Sequence, residues 1–437
     1  MIRPIRLSAL LVAGLFPAIL SAAPAYDATA PVPALPDSRM PAPEPLSSMG
    51  ATDWRAANDS VGAFTRGHID ILRWEAANQA PATAAARPDG SRLSAAQAAR
   101  VAFANRPDLF ATSDTSAAER ARADIAAVSF ARDVSRAWIT AVAAEQTLQH
   151  ARQALDATET GTELAMRMTR AGNWGQDRAL RQRLALHEAT REFALVTREA
   201  FAAREALVRL AGLWGDAAIV ALPDRLPDLP SVPLSADGLE ATALQRHPLL
   251  PLAAIDADRA QRAQGERTLN SWQELSAKAI SGVIDSQADD VSALEQPVSA
   301  APMLDLRRAG VGHDASRAAR LQGEATGLAV KIRSHVREAY HQYRIAHDLA
   351  LQAQEVARLS GEVQEDMVLR YNGMLKSTWD LLSAARERVN SEAAAVQAQR
   401  DFWLAHANLQ AVLAGADYLG PDAIGGASVR KNEAGGH

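Results

Sequence analysis

The sequence predicts a mainly α-helical protein made of two tandem, long, antiparallel coiled-coil hairpins. Three observations predict it. First, apolar residues recur every seven positions over an unusual length: Val134, Ala141, Leu148 and Leu155, with Ala137, Ala144 and Ala151 as a companion row. That spacing is a coiled-coil seam, and a second row of small residues lets two backbones approach closely. Second, two helix-breaking stretches interrupt otherwise helical sequence, "MRMTRAGNWGQDRAL" at 166–180 and "LRYNGMLKSTWDLL" at 369–382. Third, the surroundings of the two breaks repeat. Ala339, Ala346, Ala353 and Ser360 follow Ala137, Ala144, Ala151 and Thr158 at an offset of 202, and Arg370 and Asp380 follow Arg167 and Asp177 at 203.

Each segment is justified in chain order. Residues 1–25 read as a secretory signal: Arg3 and Arg6, an apolar core from Leu7 to Leu20, then small residues at 21–25. Residues 26–92 are a Pro/Ala-rich leader and a short helix expected within 50–80, followed by a polar break at 81–91. Residues 93–216 are the first hairpin repeat. Its long helix is expected from about 114 to 168, capped at Asp114 or Thr115 with Glu119 nearby. At 1.5 Å per residue it is roughly 80 Å long. The return arm carries Leu186, Phe193, Ala200 and Leu207 by sevens and closes on "LAG" at 210–212. Residues 217–238 are a Pro-rich link. Residues 239–416 are the second repeat, closing on "LAG" at 413–415, and residues 417–437 are a flexible tail. The two breaks are then hairpin tips. Gly373 is expected to hold a positive φ there, and Asp177 and Asp380 fall in the first turn of a helix, where the dipole favours a carboxylate.

Composition narrows the function. The chain of 437 residues is 48% apolar but only 5% aromatic, which suits closely packed helices more than a bulky core. Net charge is −5, so no nucleic-acid partner is expected. There is no cysteine, which removes disulfides, thiolate metal sites, thiol nucleophiles and a lipid on an N-terminal Cys. No catalytic constellation is visible: no Ser–His–Asp order, P-loop, dinucleotide turn or H-E-x-x-H. The expectation is a non-enzyme without cofactor or metal.

Two tandem coiled-coil hairpins behind a signal peptide resemble the TolC-like outer-membrane efflux family. The resemblance is carried by "RMTRAGNWGQDRALRQRLAL" (167–186), "LRYNGMLKSTWDLLSAARE" (369–387), the two "LAG" closures, the "NRP" and "RHP" openings at 105–107 and 246–248, and "AQRDFWLAHANLQAVLAG" (398–415). The last stretch looks like the repeat end of a branch associated with metal resistance. The resemblance implies an α-barrel protomer, a homotrimer, a periplasmic tunnel, strands in an outer-membrane barrel, and tips that meet a periplasmic adaptor protein joined to an inner-membrane pump. The implied function is passive export of metal ions or small toxic compounds, with the protein in the outer membrane and projecting into the periplasm.

The chain departs from that pattern in its first repeat. Pro248 and Asp380 stand 132 positions apart, Pro107 and Asp177 only 70. The shortfall is the size of a β-hairpin with its flanking turns. The second repeat has room at 272–310, but those strands are weakly patterned, and no Phe, Tyr or Trp lies between Trp272 and Tyr340. A spanning strand needs about 9–11 residues with aromatic girdles. The expectation is a reduced or absent membrane barrel. The alternative function is a periplasmic coiled-coil scaffold or binding protein that has lost the barrel.

The tip and aperture candidates are Arg167, Gly172, Asp177, Arg370, Gly373 and Asp380. The aspartates either ring the tunnel mouth and select cations or serve as N-terminal helix charges. The arginines either bond the opposite hairpin or are solvated helix ends. His335, His341 and His347 are spaced by six, which does not put two ligands on one helical face, so they read as surface or core residues. Met166, Met168, Met367 and Met374 flank the tips. Thioethers can bind copper(I), but methionine at helical spacing reads first as core filler.

Overall fold

The computed structural model describes residues 92–110, 116–264, 274 and 313–420. The signal segment, the leader before 92 and residues 421–437 lie outside the described residues, as does the weak strand segment at 272–310 apart from Glu274. Among the described residues every regular element is helical. In order, they are α1 (Ala95–Ala104), a 3-10 turn (Pro107–Phe110), α2 (Ala117–Arg170), α3 (Gln176–Ala211), a 3-10 turn (Gly215–Ala218), α4 (Leu239–Arg246), α5 (Leu250–Arg262), α6 (His313–Asn372) and α7 (Thr378–Leu413).

The two expected hairpins are α2–α3 and α6–α7. α2 has 54 residues, near the length expected for 114–168, and α6 has 60. α2 begins at a capping box. The Ser116 hydroxyl accepts from Glu119 N–H at 3.3 Å, and Glu119 Oε2 accepts from Ser116 N–H at 2.7 Å. The cap is therefore Ser116, not the expected Asp114 or Thr115. Only Ser116 stands three residues before Glu119, the spacing a reciprocal box requires.

α3 packs on α2, α2 on α7, and α7 on α6, so the long helices form one layer in the order α3–α2–α7–α6. α1 rests on α2 and α3, while α4 and α5 rest on α6. Two cores result. One joins Ala98, Val134, Trp138, Val142, Leu207 and Leu226. The other joins Ala243, Val336, Tyr343, Phe402 and Leu409. Toward the tips the buried residues of α2 are small, among them Thr158, Gly161, Thr162 and Ala165.

The Pro-rich link crosses this layer. Its backbone cannot pair with itself through prolines, and long polar side chains from three helices satisfy it. Leu226 N–H donates to Gln146 Oε1 at 3.3 Å. The Pro227 carbonyl accepts from Gln399 Nε2 at 2.6 Å and Trp403 Nε1 at 3.0 Å. The Pro230 carbonyl lies 3.0 Å from His347 Nε2, which must therefore carry the proton. Leu234 N–H donates to the Tyr343 hydroxyl at 3.0 Å, and the Tyr340 hydroxyl donates to the Leu234 carbonyl at 3.2 Å. His347 is thus a buried structural donor. His341 is exposed, and His335 Nδ1 accepts from Tyr418 N–H at 3.4 Å.

The two openings meet the two closures. Asn105 Nδ2 donates to the Ala211 carbonyl at 2.7 Å, and Gly212, at φ 65°, leaves just enough room for Asn105. In the second repeat Gly415, at φ 102°, sits so close to the opening that a Cβ there would lie 2.6 Å from Pro248 Cδ. The quoted "NRP", "RHP" and "LAG" segments are therefore paired parts of one joint, used twice.

This joint yields a test. Gly415→Ala adds both a left-handed alanine and a steric overlap, and is expected to cost about 2–4 kcal/mol. Gly238 also has a positive φ, 72°, but open space around it, so Gly238→Ala should cost only about 1–2 kcal/mol. Urea unfolding followed by circular dichroism distinguishes the two; equal losses would remove the steric part of the explanation.

Candidate functional site: the hairpin tips

The hairpin tips bring all six sequence-predicted residues to one end of the layer. Each tip is a hydrogen-bonded turn. In the first, the N–H groups of Ala171, Gly172 and Asn173 donate to the carbonyls of Arg167, Thr169 and Met168 at 3.0, 3.1 and 3.0 Å. In the second, those of Gly373, Met374 and Leu375 donate to Leu369, Tyr371 and Arg370 at 3.0, 2.9 and 2.9 Å. The two turns superpose at an offset of 202, so Arg167 matches Leu369 and not Arg370.

The left-handed residue follows that register. It is Gly172 (φ 76°) in the first tip and Met374 (φ 58°) in the second. The expectation that Gly373 holds the positive φ is thus corrected. The Leu375-to-Arg370 bond spans five residues and places the left-handed conformation on the residue just before Leu375. A Cβ on Gly373 would meet backbone carbonyls only at 3.6 Å, ordinary contact. Met374 carries the strain, about 1–2 kcal/mol for a residue with a Cβ. It is 94% exposed, so the core-filler reading of this methionine is also corrected.

The charged candidates make local contacts. Arg167 pairs with Glu163, and Arg370 Nε lies 2.7 Å from Asp366 Oδ2, each one turn earlier on its own helix. Asp380 belongs to a capping box. Its carboxylate accepts from Ser377 N–H at 3.0 Å and the Ser377 hydroxyl at 2.9 Å, and these bonds hold its pKa below the ordinary 3.8. Asp177 is not its equivalent. The N-cap of the first return helix is Gly175, which has no side chain to cap with, and Asp177 is the second helical residue where Asp380 is the third. The Asp177 carboxylate instead fills the space a Gly175 side chain would occupy, with Oδ1 2.5 Å from that Cβ position.

What joins the two tips is aromatic. Trp174 in the first turn stacks on Trp379 in the first turn of α7, with ring centroids 4.5 Å apart and planes inclined by 27°. The Arg178 guanidinium lies 5.5 Å from the Trp174 ring centroid. Trp379 and Leu382 fit against Gly161 on α2, where a Cβ would lie 3.2 Å from Leu382 Cδ1 and 3.9 Å from the Trp379 ring. Trp379 Nε1 is buried without a hydrogen bond. Such a stack contributes about 0.5–1.5 kcal/mol beyond area burial, while an unpaired buried N–H costs about 1–3 kcal/mol. Sequence reasoning missed this pair. Both tryptophans stand in the quoted breaks, but at non-equivalent positions, so the repeat gave no reason to pair them.

The capping box supplies a second test. Ser377→Ala should cost about 1 kcal/mol and fray the start of α7, read by hydrogen exchange in the second tip. Because the folded pKa of Asp380 is depressed, its contribution is full above the unfolded value and is lost as pH falls through the folded one. Protection at the second tip should therefore weaken below about pH 4, and that acid loss should vanish in Asp380→Asn.

Comparison with known proteins gives neither a matching family model nor a matching curated protein. Several solved structures are similar. A membrane protein from Pseudomonas aeruginosa matches at 18% identity with a TM-score of 0.49, covering 72% of each chain. The CmeC outer membrane channel of Campylobacter jejuni matches at 13% and 0.48, covering 73% of this chain and 68% of its own. The outer membrane protein VceC of Vibrio cholerae matches at 15% and 0.46, covering 74% and 76%.

Proposed function

We propose that this chain is one segment of a periplasmic duct, closed by further copies of itself, through which a tripartite efflux system exports its cargo. The observation that carries this reading is a pair of apolar edges of the helical layer that stand exposed among the described residues. On α6, Ile345, Leu349, Val356, Leu359 and Val363 are all exposed, at the 4-7-3-4 spacing of a coiled-coil seam. On α3, at the opposite edge, Leu180, Leu184 and Phe201 are exposed. A stripe of that length on a soluble surface calls for a partner helix.

The two edges match in height and charge. Leu184 and Val363 both lie roughly 12–14 Å from the tip end, and Phe201, Leu349 and Ile345 all lie roughly 35–40 Å from it. Near the tip α3 carries exposed Arg181 and Arg183, and α6 carries exposed Glu365. α3 of one copy and α6 of the next then form the same kind of antiparallel pair that α2–α3 forms within a copy. Three copies closing in this way make a twelve-helix tube, as the family resemblance implies. A tube needs no catalytic group, and no enzymatic role is proposed. The same resemblance supports outer-membrane placement, an adaptor and a pump as partners, and metal ions or small toxic compounds as cargo.

The oligomer is tested by sedimentation of the mature protein. Val356→Glu with Val363→Glu should yield monomers of unchanged helicity, and Arg181→Glu should weaken assembly with Glu365→Arg restoring it. A monomeric parent protein would overturn the duct reading.

One observation favours a variant with a reduced membrane portion. Between the 3-10 turn ending at Phe110 and the cap at Ser116 only five residues, 111–115, remain. That is too short for one spanning strand of about 9–11 residues. Among the described residues no helix is long and apolar enough to cross a membrane. Carbonate should therefore extract at least part of the native protein from outer membranes. Retention of all of it until detergent is added would mean that residues outside the described ones anchor it fully.

A further inference from the structure

We propose that Trp174 and Trp379 form a non-ionic clasp that holds the two hairpin tips of one protomer together and is poised to release; its bearing on transport rests on the duct reading above. The two hairpins are joined along α2 and α7, and at the tip end the join is the tryptophan stack seated against Gly161. Two of the charged tip residues are engaged within their own elements. Arg370 pairs with Asp366, and Asp380 caps its own helix. Next along the join, Arg386 Nη2 reaches Gln182 Oε1 at 3.4 Å, a neutral partner. Arg178 meets the stack through the face of Trp174.

Two features make the clasp releasable. Trp174 sits in a turn, not in a helix, so the turn alone can carry its ring away. Trp379 Nε1 is buried without an acceptor, so parting the rings returns this N–H to water and offsets much of what the stack contributes. An ion-pair latch weakens with salt. A stack of rings does not, because its attraction comes from buried apolar area and ring quadrupoles.

The absence of cysteine in the chain makes the test clean. Asn173→Cys and Leu375→Cys place one spin label on each tip of the full-length protein, and the label-to-label distance is measured by pulsed electron resonance. The expected result is a narrow distribution in the parent, unchanged in about 1 M salt, where the Debye length is about 3 Å. Trp174→Ala should broaden it and shift it outward, while Trp174→Phe, which keeps a ring, should stay close to the parent. Helicity and oligomeric state serve as controls, since a turn residue leaves no core cavity. The Trp–Trp exciton signal in circular dichroism should be present in the parent and lost in Trp379→Phe. An unchanged distribution in Trp174→Ala, or widening of the parent by salt alone, would overturn the clasp. Cells carrying Trp174→Ala are scored separately for leakage of a bulky antibiotic. A widened tip without leakage upholds the clasp and sinks the duct reading instead.

Discussion

The backbone of the Pro-rich link is the constraint on which the rest of the structure depends. Long alanine seams hold helices close but fix their longitudinal register poorly, because one small residue fits a groove about as well as the next. The link removes that freedom. Its carbonyls at Pro227, Pro230 and Leu234 and its amides at Leu226 and Leu234 find donors and acceptors on α2, α7 and α6. Each bond is modest on its own, about 0.5–1.5 kcal/mol net. Together they pin both hairpins to one height, since sliding either helix would strand several buried polar groups at once. The level at which the two tips face each other is set here, far from the tips.

The sequence made the fold legible because its signals are long and redundant. Heptads run through α2, α3, α6 and α7, and a duplicated pattern says the same thing twice. The tips were legible as places but not as chemistry. A Gly beside a helix break suggested the left-handed position, yet the hydrogen-bond register put that position on Met374. Arg167–Asp177 and Arg370–Asp380 have equal spacing, yet one aspartate caps its helix through Ser377 and the other follows a glycine that cannot cap. The Trp174–Trp379 contact is a meeting of two unlike positions, which no internal repeat can announce. The cap at Ser116 was legible in principle, through its three-residue spacing to Glu119.

The sidedness of the layer follows from the same seams. α2 and α7 are covered on both flanks, and their buried sets are dominated by Ala, Val and Leu. Of the long helices, α3 packs only on α2 and α6 only on α7 among the described residues, and Leu180, Leu184, Ile345, Leu349 and Val363 are exposed. An apolar edge of this kind is costly as a free surface and well formed as half of a coiled coil.

The two return arms are helices of equal length, 36 residues each, and they start from equivalent caps, Gly175 and Ser377. The closing glycines differ by one place, because Ala414 stands between the end of α7 and Gly415 while Gly212 follows α3 directly. The added residue lies beyond the helix, so the two arms keep the same phase along their whole length. What differs is what they carry at the far end. There Phe402 and His406 crowd against Tyr343, and Phe402 also meets His347, where the matching positions of the first arm hold Ala200 and Arg204. Exchanging the halves would therefore align every turn of helix yet leave Ala200 in the place where Phe402 fills the core.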